Sequence, residues 1–117
     1  KFVKTDLKPT VDPATNTPYD LTDIAYVPDK GLVLLLSSEG NEGKQFGSNQ
    51  IWFLKAGFGP AKLVQKDLAP GNRGAGLAIR PTQGDEYEAA IVCDNAMEDS
   101  RIPSRLLYMR GLRLPMR

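Results

Sequence analysis

Few residues of this chain could carry chemistry by themselves. There is no histidine, which removes His-based triads, His-ligated zinc and imidazole acid–base catalysis from within the chain. The single cysteine, Cys93, stands in the apolar run AAIVCDN and reads as a buried, inert thiol rather than a nucleophile. Alone, it forms no intrachain disulfide and says little about redox compartment. The loop EGNEGKQFGSNQ (39–50) is charged and glycine-bearing, but it lacks the Gly-Lys-Ser/Thr ending that sets a lysine and a metal-binding hydroxyl against phosphate. It reads as a connecting loop. Trp52 and Phe53 could stack on a sugar or a base. As neighbours in an apolar strand they fall on opposite faces, and core packing is expected for at least one of them.

Charge is unevenly placed around a net value of +1: all 14 acidic residues lie at or before Asp99, and Arg101, Arg105, Arg110, Arg113 and Arg117 follow it. A basic tail can meet phosphate or an anionic surface. Without interleaved aromatics it offers no nucleic-acid platform, and it reads as solvated arginines guarding an exposed strand edge. No nucleic-acid partner is expected. No segment is apolar for long enough to span a membrane, the longest run being GLVLLL at 31–36. The chain starts at Lys1 rather than Met, so a processed protein or an excised piece of a longer one is expected, with an extracellular or periplasmic location.

The elements that must position these groups are strands. Nine prolines and eleven glycines punctuate β-branched and aromatic clusters, a pattern of strands and turns rather than helices. At 117 residues the chain is a single domain, 1–117. Within it the sequence repeats. FVKTDLKP (2–9) returns as LVQKDLAP (63–70) at a spacing of 61, and LTDIAYVPDKG (21–31) returns as GAGLAIRPTQG (74–84) at 53. Each of the latter ends in a Pro-x-x-Gly turn. An apolar strand follows, LVLLLSS (32–38) or YEAAIVC (87–93), then a polar loop, then IWFLKAG (51–57) or LLYMRGL (106–112) at a spacing of 55. The first repeat is 2–62 and the second 63–117. The inner strands, IAYV and LVLLL, are apolar on both faces, as strands sandwiched between layers are.

The stretch LTDIAYVPDKGLVLLLSSEG…GSNQIWFLKAG resembles a blade of a six-bladed β-propeller, and is most similar to the regucalcin and gluconolactonase type and to the esterase-like propellers related to phytase. The resemblance implies an all-β, antiparallel fold of two propeller-like, four-stranded blades. KLVQKDL completes the first blade, whereas the strand that the second needs, KFVKTDL, lies at the other end of the chain. The N-terminal strand is therefore expected to complete a blade of a neighbouring copy, giving a homo-oligomer joined head to tail as a closed ring or a filament. The expected interface joins Phe2, Val3 and Leu7 to the strand edge at Leu106, Tyr108 and Arg110. DPATNTPYD (12–20) is the expected linker.

Propeller enzymes of this kind hold a divalent cation in the central channel on carboxylates and amides. The resemblance thus points to calcium as a cofactor, with Glu39, Asp94 and Asn95 nearest it and Asp20, Asp23 and Asn41 in matching positions. Asp and Asn also cap turns at strand ends for local reasons, and Asp23 falls on Gly76 in the second repeat. Two function classes result: a structural or binding module that assembles by strand exchange, or a fragment or subunit of a calcium-dependent esterase, lactonase or phosphatase. A two-blade lectin would need repeated aromatic sugar contacts, and Trp52 is matched only by Leu107.

Overall fold

The computed structural model describes residues 7, 10–13, 15–38, 47–56, 60–95 and 104–115. Among these every regular element is a strand. Strands β1 (Val11–Asp12), β2 (Thr17–Val27), β3 (Gly31–Ser38), β4 (Asn49–Lys55) and β5 (Lys62–Leu68) form one sheet in chain order. Strands β6 (Gly74–Pro81), β7 (Glu86–Cys93) and β8 (Arg105–Arg113) form a second. All described pairings are antiparallel. The fold is thus all-β, as read from the sequence.

The repeat is visible in the register. β2 carries a bulge between Leu21 and Asp23, and β6 carries one between Gly74 and Gly76, the same place at a spacing of 53. Such a bulge inserts one residue and resets which side chains share a face. Beyond it, the cross-strand row Ile24–Leu34–Trp52 in the first sheet corresponds to Leu77–Ile91–Leu107 in the second. The next row, Ala25–Val33–Phe53, corresponds to Ala78–Ala90–Tyr108.

The sheets pack face to face. Val33 and Leu35 of β3 with Ile51 and Phe53 of β4 meet Tyr87, Ala89, Ile91 and Cys93 of β7 in one buried cluster. Each large aliphatic or aromatic side chain removed from water there contributes about 1.5–3 kcal/mol. β3 is apolar on both sides because its other set, Leu32, Leu34 and Leu36, joins Tyr19 in a smaller cluster on the far face.

Two expectations need correction. The stretch 12–20 is no linker: β1 turns back on β2 through Asn16, whose φ is 56°, and Tyr19 N–H donates to Thr10 O at 2.9 Å. Asp12 fixes this hairpin, its Oδ2 accepting from Ser38 Oγ at 2.8 Å and Ser48 N–H at 3.0 Å. Nor is β2 covered on both faces within one chain, since Ile24 and Tyr26 are 50% and 68% exposed, whereas β3 is buried on both.

Candidate functional site

The surface features that stand out are one strand edge and two sheet faces. The first sheet is a four-stranded meander, β2 to β5, with the short β1 added beside β2. The second stops at three strands, so β8 is its edge among the described residues. A cleft of about 440 Å³ borders that edge, lined by Val64 and Gln65 of β5 and by Met109, Gly111 and Leu112 of β8. Arginines stand along β8 as the sequence suggested. Arg113 Nη2 lies 2.9 Å from Glu86 Oε1, and Arg110 Nε lies 3.9 Å from Glu88 Oε1. Both guanidinium groups are largely exposed, so these pairs add little stability.

Of the expected interface residues, Leu106 and Tyr108 are 53% and 65% exposed, and Arg110 is exposed. Phe2 and Val3 lie outside the described residues. Leu7 is half-buried against Tyr19, Leu34 and Leu36 on the far face of its own first sheet. Its counterpart in the repeat, Leu68, together with Val64, projects into the layer between the two sheets.

The expected calcium residues do not converge among the described residues. Glu39 and Asn41 lie outside them. Asp94 is exposed, and its N–H donates to Arg73 O at 2.9 Å. Asn95 is fully buried: Oδ1 accepts from Arg73 N–H and Nδ2 donates to Asn72 Oδ1, each at 2.9 Å. Asp23 turns its Oδ2 to Leu77 N–H at 2.6 Å, tying β2 to β6. No group of three or more His, Cys, Asp or Glu side chains suited to a metal forms among the described residues. The Asn95 amide is held by protein partners.

Trp52 and Phe53 take opposite faces. Phe53 is in the core, while Trp52 is half-buried and donates from Nε1 to Gln50 Oε1 at 2.9 Å. Cys93 is fully buried, and that burial pushes its thiol above the ordinary range, with Arg105 pulling it partly back. It is expected to react with a disulfide reagent at least about a hundredfold more slowly in the native protein than in urea. A native rate matching the unfolded one would contradict its place in the core.

Sequence reading missed the buried polar ties at the strand ends. The fully buried Asn49 accepts Gly74 N–H on Oδ1 at 2.8 Å and donates from Nδ2 to Leu68 O and Asn72 O, both at 3.0 Å. A Cβ on Gly74 would crowd that Oδ1, and one on Gly47 would overlap the Ser38 hydroxyl and the Asp12 carboxylate. Tyr19 joins the second tie by a hydrogen bond between its hydroxyl and that of Ser48.

Burial, opposed by the Ser48 bond and reinforced by the Asp12 charge, raises the Tyr19 phenol above its ordinary 10.0. The folded state therefore favours the neutral phenol. Its contribution is complete below about pH 10 and is lost as the pH rises through the folded value. Stability measured by urea unfolding should fall above about pH 10, and Tyr19→Phe should flatten that fall. An equally steep fall in the variant would assign it elsewhere. No family model, curated protein or solved structure matches this chain.

Proposed function

We propose that this chain is a structural, propeller-like repeat module that assembles head to tail, residues 2–8 of one copy completing the three-stranded sheet of the next. The observation that carries the reading is the mismatch between the repeats. Among the described residues, the first meander has its fourth strand, β5, and the second ends at β8, while the sequence counterpart of β5 stands at residues 2–9.

The position of Leu7 supports it. β5 bonds to its own sheet while Val64 and Leu68 reach toward the next one. Leu7, against the first sheet, bears the same relation to that sheet that Leu68 bears to the second. A strand running there would offer its backbone to a further sheet, and an edge strand is the natural template for it. Because donor segment and acceptor edge are different surfaces, the contact is heterologous and closes into a ring or extends as a filament. Removing residues 1–8 and measuring particle mass by light scattering is the test.

A further inference from the structure

Two sheet faces carry exposed apolar side chains, apart from the strand edge. Within the chain, the front of the first sheet, with rows Ala25–Val33–Phe53 and Asp23–Leu35–Ile51, is buried against the rear of the second. The matching front rows of the second sheet, Ala78–Ala90–Tyr108 and Gly76–Val92–Leu106, face outward. Phe53 is 1% exposed and its counterpart Tyr108 65%; Ile51 is 0% and Leu106 53%. The rear faces mirror this. Leu77 and Ile79 pack into the inter-sheet cluster, whereas their counterparts Ile24 and Tyr26 are open to solvent, forming the exposed β2 side of a rear face whose Leu34 and Leu36 are buried.

We infer that the front of the second sheet docks on the rear of the first sheet of a second copy, repeating between chains the contact made within one. The occupant is argued from complementarity. At the open front, Ala90 stands where the first sheet has Val33, leaving a depression of about 320 Å³ lined by Ala78, Ala90 and Tyr108 and rimmed by Arg80 and Glu88. At the open rear the change is opposite. The row Tyr26–Leu32 is bulkier than its counterpart Ile79–Ala89. The side that lost volume thus faces the side that gained it, as interior-like packing demands.

A Tyr26 ring in the depression would bury its apolar body, and its hydroxyl would find polar partners at the rim. There Arg80 Nη2 lies 2.6 Å from Glu88 Oε2. Leu7 lies on this same rear face, so the copy that docks its rear also brings its N-terminal segment to the partner's β8. The inference rests on the head-to-tail reading but not on strand exchange.

The test uses two variants of the full chain, Tyr26→Glu and Tyr108→Glu, each at a position more than half exposed. Circular dichroism checks that both fold. Each retains one working face, and a carboxylate forced into the apolar contact should weaken self-association at least about a hundredfold. The intact chain should assemble, each variant should be monomeric by light scattering, and an equimolar mixture should give a dimer. Ile24→Lys and Val92→Lys provide an independent pair with the same expected pattern.

Variants that keep the intact mass, a mixture that stays monomeric, or an intact chain that is monomeric up to about 0.5 mM would each overturn it. Residues 1–8 are untouched in all variants. Unchanged mass in the variants, alongside collapse of the truncated chain, would therefore remove the face contact and leave strand exchange standing.

Discussion

A chain lacking residues 1–8 is expected to fold and fail to assemble. The first sheet keeps all of its described strands, because its fourth strand is β5, paired to β4 through Trp52↔Leu63 and Phe53↔Lys62. The hairpin that follows the cut is held by Asp12 on Ser38 and Ser48, so the deletion stops short of the buried polar tie. Among the described residues, what it removes within the chain is the contact of half-buried Leu7 with Tyr19, Leu34 and Leu36. That is a cost of about 1–2 kcal/mol, or a few degrees in melting temperature.

Between chains it removes every backbone bond that the β8 edge would gain, along with Phe2 and Val3. Light scattering should then give a mass just under the 12.8 kDa of the intact monomer, or an aggregate templated on the bare edge. Circular dichroism should remain that of a β protein. A truncated chain with the full oligomeric mass would end the strand-exchange reading, and the repeat at residues 2–9 would then be an echo without a structural role.

The strands were legible in the sequence because their signals are local and redundant. GLVLLLSS and EYEAAIVC lie between turn residues, and they became β3 and β7. The repeat was legible too, down to a third strand in each half. The hairpin at 12–17 was not, because proline and threonine in an extended stretch also compose a spacer. What decides against a spacer is a long-range bond that the Ser48 N–H donates to Asp12, which no local pattern encodes.

Sidedness was half legible. Apolar residues on both faces of IAYV said that two layers must cover it, and the described residues supply only one, leaving Ile24 and Tyr26 exposed. The buried amides were the least legible. Asn49 and Asn95 look in sequence like any turn-capping residue, and only the fold brings Gly74 and Arg73 to their oxygens. Among the described residues, the carboxylates and amides expected around a cation do not converge, and the reason is related. Strand-end Asp and Asn residues are common, and the Asp23 Oδ2 and Asn95 Oδ1 atoms accept from backbone N–H groups of this chain.

Asn49→Ala should be the most destabilising single substitution discussed. The side chain is fully buried at the point where β4, the end of β5 and the link into β6 meet. Ser37 Oγ lies 2.6 Å from Asn49 Oδ1 and 2.8 Å from Gly74 O and donates to one of them, so in the alanine variant it turns to Gly74 O. No such alternative from Ser37 serves Gly74 N–H, Leu68 O or Asn72 O. A buried polar group left unpaired costs about 1–3 kcal/mol, and partial hydration of the gap brings the sum to about 3–5 kcal/mol, against a typical total of about 5–15. The melting temperature should fall by about 12–20 °C, whereas the exposed Gln65→Ala should change stability by less than about 0.5 kcal/mol.

Asn49→Asp separates lost hydrogen bonds from lost packing, because it keeps the shape and the Oδ1 acceptor while setting a second carboxylate oxygen against the carbonyls of Leu68 and Asn72. Desolvation and those carbonyls raise the folded pKa of the new carboxyl above its unfolded value. Its folded state then binds the proton more tightly, and its stability should recover as the pH falls through that raised value. An aspartate variant as stable as the intact protein at pH 8, or one with no recovery in acid, would mean that the Asn49 amide does not bind the two sheets together.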